Sequence, residues 1–331
     1  MNAFVVEEAT QVAEARREAT RIAAQMGLSE EEQGRAAIVV TELGSNILKH
    51  GVSGEMFVGA SSATCEPCVD IVALDRGPGM RDVDACLADG YSTSGTQGTG
   101  LGATRRQATT FAVYSAPGLG TVVHARICKA RETYRRRERN DWAVLLRPLR
   151  GEEVCGDDYA VRESGSGFHA MMADGLGHGA LAANASNAAT RIFRESRSTH
   201  ADEIAESIHR GLTATRGAAV AVASVDHDTH RVTYCGIGNI AGALVDGMVT
   251  RRMTSCNGTA GHIAPKVRAF EYPYRQDTVM ILHSDGLSAN WNLDKFPGLV
   301  HREPMLIAAV LYREFGRSRD DAAIIVARLA Q

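Results

Sequence analysis

Apolar residues recur at helical spacing over residues 8–26 (EATQVAEARREATRIAAQM), where Val12, Ala15, Ala19, Ile22 and Ala23 share a face and Gly27 ends the run. Ser29 with Glu32 three residues on has the form of a capping box. It opens a second helix that runs to about Lys49, with Val39, Val40, Leu43, Ile47 and Leu48 on its apolar side and Gly51 after it. Within that helix (TELGSNILKHG), Glu42 and Asn46 stand one turn apart and point the same way. Taken alone, such a pair reads as a solvated polar face. Strand patterns follow near 55–60 and at 68–74 (CVDIVAL), then the loop DRGPGM and the Gly/Ser/Thr-rich stretch GYSTSGTQGTGLG. A helix (ATRRQATTF) and two strands, FAVYSA and GTVVHARIC, around the turn PGLG complete an α+β layout that ends near residue 128.

Residues 129–140 (KARETYRRRERN) break the pattern and read as a basic, solvated linker. From Trp142 onward strands alternate with two helical segments, 178–196 and 201–215. The strand candidates are AVLLRP, DYAVRE, GFHAMMAD, AAVAVASVD, RVTYCGIG, GALVDG, DTVMILHSD and DAAIIVARL, which predicts a β-sandwich flanked by helices. The expected organisation is 1–128, a linker 129–141, and 142–331.

Length supports two domains, since 331 residues exceed the usual size of one core. With 44% hydrophobic and 23% charged residues the composition is that of a globular protein, and a net charge of −3 gives no global attraction to nucleic acid. No run of about 18 apolar residues predicts a membrane span. The N-terminus is acidic and lacks a signal-peptide pattern, so a cytoplasmic location is expected. Seven scattered Cys, an odd number, fit a reducing compartment. Cys65 and Cys68 form one C-x-x-C with no second pair to complete a zinc site, and are read as part of a turn between strands.

The front half carries an ordered set of motifs. Asp75 ends the CVDIVAL strand, and Gly77 and Gly79 follow it in DRGPGM. Gly98, Thr99, Gly100, Leu101 and Gly102 lie just before a helix, where free N–H groups and the helix dipole favour phosphate. Thr121 opens the last strand after GLG. Neither a P-loop nor a Rossmann glycine pattern is present. The order E-x-x-x-N, D-x-G-x-G, G-T-G-L-G, G-x-G-T resembles the Bergerat or GHKL ATP-binding fold of histidine kinases and their relatives. Within that group, residues 8–127 look like the RsbT-type switch kinases of bacterial stress regulation. The resemblance implies that Glu42 acts as general base toward a substrate hydroxyl, that Asn46 holds Mg²⁺ on ATP, and that Asp75 accepts the adenine amino group. A carboxylate and a neutral oxygen donor suit that chemistry. The family's GLGLG is here GLGAT.

In the back half, Asp157 (CGDDYAV), Asp174 (MMADGLGHG), Asp285 (ILHSDGLS) and Asp320 (SRDDAAIIV) each sit at a strand end or beside Gly. Any one reads as a turn residue. Together they describe converging carboxylates, which repel unless a hard cation neutralises them. The set resembles the metal-dependent PPM (type 2C) serine/threonine phosphatases, in the bacterial SpoIIE and RsbX branch. It implies two Mn²⁺ or Mg²⁺ ions bridged by Asp157 and Asp174, with the Gly175 carbonyl, Asp285 and Asp320 completing the ligands and an activated water attacking the phosphoester. The shares of Asp158 and Asp321 stay open. His178 reads as a proton donor or, more simply, as a helix-start residue. No Arg stands out as a phosphate clamp.

The combined expectation is a bifunctional partner-switching regulator: a kinase domain using ATP with Mg²⁺, and a phosphatase domain, acting on a STAS-domain antagonist protein. Two rivals are an RsbW-like anti-sigma factor fused to the phosphatase, and an ATP-gated binding module with the phosphatase as sole catalyst.

Overall fold

The computed structural model describes residues 1–61, 66–87, 100–129, 140–165, 167–264 and 266–329. The chain divides into two compact units: residues 1–137 with 295–313, and residues 138–294 with 314–331. Most of the expected basic linker, together with Cys65, Gly98 and Thr99, lies outside the described residues.

The first unit opens with β1 (Asn2–Val6), α1 (Ala9–Gln25), α2 (Glu30–His50), β2 (Gly54–Ala60) and β3 (Cys68–Asp75). It continues with α3 (Val83–Leu87), α4 (Gly100–Gln107), β4 (Thr110–Ser115) and β5 (Thr121–Cys128). The Ser29 capping box forms, with both reciprocal bonds to Glu32. The five strands make an antiparallel sheet in the order β1-β2-β3-β5-β4. Strand alternation sends Val69, Ile71, Ala73, Val123, Ala125 and Ile127 to one face, where they pack with Val12, Ala19, Val39, Val40 and Leu43 of the two long helices. The other face is also buried at Phe57, Val72, Leu74 and Val122. There Tyr312, from the 295–313 stretch of this unit, stacks edge-on against Phe57 at 5.3 Å, and its hydroxyl donates to Glu55 at 2.9 Å.

Two expectations need correction in this unit. Leu48 is 40% exposed, off the apolar stripe of α2. Cys68 is not part of a turn: it opens β3 and, where the scattered Cys had fitted a reducing compartment, forms a disulfide with Cys128, its register partner on β5.

The second unit holds β6 (Asn140–Arg147), β7 (Asp157–Ser164), β8 (Gly167–Gly175), α5 (Ala180–Glu195), α6 (Ala201–Gly211), β9 (Ala218–Asp226) and β10 (Arg231–Ile237). Then come β11 (Ala241–Asp246), β12 (Val249–Met253), β13 (Ser255–Cys256), β14 (Phe270–Pro273) and β15 (Val279–His283). After α7 (Pro304–Phe315), most of which belongs to the first unit, the chain ends in β16 (Ala322–Leu329). One sheet runs β13-β10-β9-β8-β7, with β14 also paired to β10; the other runs β12-β11-β15-β16-β6. The sheets face each other. Tyr234 of β10 closes on Gly242 of β11, where an added Cβ would stand 2.9 Å from the ring, and its hydroxyl donates to the Ile240 carbonyl at 3.0 Å. Helices α5 and α6 cover the first sheet through Phe193, Ile204 and Ile208 against Met171, Val220 and Val222. The architecture is α+β: an α/β sandwich of one sheet under two long helices, followed by a β-sandwich flanked by helices. No described helix is long and apolar enough to cross a membrane.

Candidate active sites

In the first unit, the C-terminal half of α2 lies beside two of the predicted motif segments. A Cβ on Gly100, the first residue of α4, would stand 3.1 Å from Asn46 Oδ1. The Asn46 amide therefore sits at the N-terminal turn of α4, where unpaired N–H groups and the helix dipole suit a phosphate and its cation. One turn earlier Glu42 is half-buried and makes no hydrogen bond or ion pair with a described residue. Gly51, just past the helix, brings Asp75 alongside: a Cβ on Gly51 would meet the Asp75 Cβ at 3.0 Å. Asp75 ends β3 opposite Thr121 of β5, and its Oδ1 accepts from the Gly77 N–H at 2.6 Å. Burial pushes its carboxyl up, outweighing the Gly77 hydrogen bond and the charge of Arg313, which pull the other way. Gly79 turns the loop with φ +70°, and an added Cβ would fall 2.0 Å from the Ala116 carbonyl, so only glycine fits. Leu101 packs against the core, leaving only its backbone for a ligand. Gly102 is buried in the same turn.

Two residues absent from the sequence expectation brace this site. Ser115 Oγ accepts from Met80 N at 2.8 Å, donates to the Gly120 carbonyl at 3.0 Å and lies 3.0 Å from Thr121 Oγ1. Arg313 Nη1 donates to the backbone carbonyl of Asp75 at 2.9 Å. Neither carries a local motif; both act through register and tertiary packing.

In the second unit, strand register assembles the carboxylates. Asp157 at the start of β7 pairs with Asp174 at the end of β8, so both side chains leave the same face. Asp285 follows β15, and Asp320 and Asp321 precede β16, which neighbours β15 in the other sheet. Asp157 is 3% exposed, and Ser284 Oγ donates to its Oδ2 at 2.6 Å while accepting from Ala323 N at 3.1 Å. Burial first, and then the charge of Asp174, push the Asp157 carboxyl well up. Burial followed by Asp285, Asp320 and Asp321 pushes Asp174 up to about 7. Asp320 is also raised, by burial and then by Asp285. These shifts mark mutually repelling carboxylates in one confined space.

The remaining acids sort themselves by their bonds. Asp321 Oδ1 accepts from Leu149 N at 2.7 Å and Oδ2 from Gly156 N at 3.0 Å, a structural clamp on the strand entry. Asp158 points to the opposite face by alternation and accepts from its own neighbour, Tyr159 N, at 2.8 Å. Asn239 Nδ2 donates to Asp285 Oδ2 at 2.7 Å, a contact with no local sequence signal. His178 is largely exposed and pairs with Glu152 at 2.7 Å, next to Gly179 at the start of α5. At Gly175 an added Cβ would lie 2.0 Å from the Ala182 carbonyl, so only glycine lets α5 pack flush against the end of β8. Among the described residues no three side chains form a closed cage around one point. The donor set is all oxygen and its charge is uncompensated, which fits hard divalent cations that keep part of their water.

Comparison with known proteins bears on each half of the chain. Residues 5–127 match the family described as histidine kinase-like ATPase domain, and residues 164–330 match Stage II sporulation protein E (SpoIIE). The serine/threonine-protein kinase RsbT of Bacillus subtilis is 31% identical over 111 residues, covering 34% of this chain and 84% of RsbT. The phosphoserine phosphatase RsbX of the same organism is 24% identical over 148 residues, covering 42% of this chain and 70% of RsbX. Among solved structures, a chain described under the bacterial stressosome is 26% identical with TM-score 0.54, covering 58% of this chain and 100% of that one. RsbX in complex with magnesium is 22% identical with TM-score 0.52, covering 59% of this chain and 98% of that one, and shares the fold. The chain thus belongs to the SpoIIE family through its back half and to the histidine kinase-like ATPase family through its front, an RsbT-like kinase domain fused to a PP2C-type phosphatase domain.

Proposed function

We propose that this chain is a bifunctional partner-switching regulator that phosphorylates and dephosphorylates a STAS-domain protein on Ser or Thr. The ATP-binding domain is taken as 1–128 and the phosphatase domain as 142–331, joined by the basic stretch 129–141. The observation that carries the reading is the gathering of Asp157, Asp174, Asp285 and Asp320 from separate strand ends into one group, Asp157 buried and the other three half-buried, in which the neighbouring charges push Asp157, Asp174 and Asp320 up. When bound, two Mn²⁺ or Mg²⁺ ions supply charge neutralisation and a water acidic enough to attack a phosphoester. Asp157, Asp174, Asp285, Asp320 and the Gly175 carbonyl would hold these ions. Ser284 fixes the Asp157 rotamer and Asn239 that of Asp285, so the donors are oriented before an ion arrives.

In the front domain Asp75 reads the adenine amino group, Gly77 and Gly79 allow close approach of the base, and the backbone of residues 100–102 at the start of α4 faces the phosphates. Asn46 holds Mg²⁺, and Glu42 orients the attacking hydroxyl. Thr121, beside Asp75, lines the adenine end. RsbT and RsbX, by their names a kinase and a phosphoserine phosphatase, support the pairing of opposed activities.

The test is partner phosphorylation at steady state, measured by mass spectrometry on a purified STAS-domain protein with ATP, Mg²⁺ and Mn²⁺. The Glu42→Gln chain should leave the partner unphosphorylated, Asp174→Asn should drive it to full phosphorylation, and the unaltered chain should settle between. If Asp174→Asn does not raise phosphorylation of the kinase's substrate, the shared-substrate reading fails.

A further inference from the structure

A phosphoester entering the carboxylate site presents negative oxygens to a cluster that is itself negative. Metal ions hold the oxygens that face inward. An oxygen that faces outward is left to water unless the protein supplies a donor, and none of the motif residues is a cation. The register of β8 and β9 shows where such a cation stands. Gly175 pairs with Ala218 and Asp174 with Ala219, so the residues just before Ala218 overhang the carboxylate end of the sheet. Leu176 N donates to the Gly217 carbonyl at 3.1 Å, which ties that overhang to the loop following Asp174. Arg216 is the next residue back. Its guanidinium reaches over the loop: Nη1 would be 3.3 Å from a Cβ on Gly177. Arg216 is exposed and makes no hydrogen bond or ion pair with any described residue. Two other arginines of this unit are engaged by the protein. Arg147 donates to the Pro148 carbonyl, and Arg252 lies over the Trp291 ring while donating to its carbonyl.

We propose that Arg216 is the phosphate-binding cation of the phosphatase site, gripping the outward oxygens of phosphoserine or phosphothreonine on the STAS-domain substrate. The assignment rests on the phosphatase reading given above. A planar guanidinium offers two parallel N–H donors matched to two phosphoryl oxygens, and it keeps its charge at every working pH. Gly177, with φ +92° and no side chain, leaves the space over the loop that the guanidinium and the phosphate share. Arg216 contacts substrate and binds no metal, so its loss separates substrate affinity from metal loading.

The experiment compares the full chain with Arg216→Ala and Arg216→Lys, and with Arg210→Ala as control; Arg210 pairs with Glu206 on the exposed side of α6. Hydrolysis of a phosphoserine peptide is followed against Mn²⁺, and inorganic phosphate is titrated calorimetrically into the Mn²⁺-loaded chains. Arg216→Ala should raise KM for the peptide and the dissociation constant for phosphate by about tenfold or more, with the Mn²⁺ half-saturation unchanged. Arg216→Lys should recover part of both, since it restores the charge without the fork. Arg210→Ala should match the unaltered chain. Unchanged KM and unchanged phosphate affinity in Arg216→Ala overturn the assignment, as does a loss explained by a shifted Mn²⁺ requirement. If the unaltered chain hydrolyses no phosphoester, the phosphatase reading itself fails, and the phosphate titration still decides whether Arg216 binds the anion.

Discussion

Asp70 is a charge that the first unit cannot spare. It sits in β3, 3% exposed, with Arg126 and His124 of β5 on the same sheet face. Arg126 donates to it from Nε at 2.5 Å and from Nη2 at 3.1 Å, and His124 Nε2 lies 2.9 Å away. Glu303, also in this unit, faces the other ring nitrogen of His124 at 3.5 Å. Burial alone would raise the Asp70 carboxyl, but Arg126 and His124 together hold it well below the usual carboxylate range. Burial alone would lower His124, but Asp70, followed by Glu303, raises it. Asp70→Asn leaves the Arg126 guanidinium buried against a neutral amide, and it removes the main support for a protonated His124. Stranding one partner of a buried ion pair costs about 3–5 kcal/mol. With a urea slope of roughly 1–3 kcal/mol per molar, the unfolding midpoint of this unit should fall by about 2 M. Trp142 and Trp291 both lie in the second unit, so their fluorescence reports the wrong transition. The assay is hydrogen exchange by mass spectrometry across a urea series, on peptides covering 68–75 and 121–128. The pH dependence carries two signs. Asp70 is depressed, so its contribution is complete above the ordinary carboxylate value near ~4 and is lost as pH falls through its lower folded value. His124 is raised, so its contribution is complete below ~6.5 and is lost as pH rises through its higher folded value. Asp70→Asn should flatten both limbs. A midpoint within roughly 0.3 M of the unaltered chain, a shift of under ~1 kcal/mol at such slopes, would refute the argument.

Asn46→Ala should weaken Mg-ATP binding in calorimetry while leaving the fold intact, whereas Glu42→Gln should keep ATP binding and lose transfer; full transfer by Glu42→Gln sinks the assigned role. Asp174→Asn should abolish hydrolysis of p-nitrophenyl phosphate, and EDTA should do the same to the unaltered chain; metal-independent turnover contradicts the carboxylate reading. Gly175→Ala forces a methyl against the Ala182 carbonyl and should destabilise the second unit by about 1–3 kcal/mol in thermal unfolding, with an unchanged melt counting against the packing described.

What the sequence made legible follows from which features are local. The strand AAVAVASVD reads as Ala218–Asp226 and forms over those same residues, because a continuous small apolar run with turn signals at each end has one solution. The Ser29–Glu32 capping box is likewise local and forms as expected. Helix α7 was not legible, since Pro304 through Leu311 are all buried and a helix apolar on every side shows no amphipathic stripe. The five-residue β1 (NAFVV) shows no alternation of apolar and polar positions to read. Leu48 follows Ile47 by about 100° around α2, enough to leave the stripe centred on Ala36, Leu43 and Ile47. The four key Asp residues were visible because each stands beside Gly or at a strand end. Ser284, Asn239 and Arg216 were not, and neither was the Cys68–Cys128 bond between residues 60 apart. Each of these depends on which residues become neighbours across a sheet or at its end. Side-chain periodicity is two along a strand, but nothing in one strand's own sequence says which residue of another it will face. The residues proposed as ligands are therefore readable one at a time, while the groups that touch them and the arginine proposed to meet the substrate emerge only once register is set.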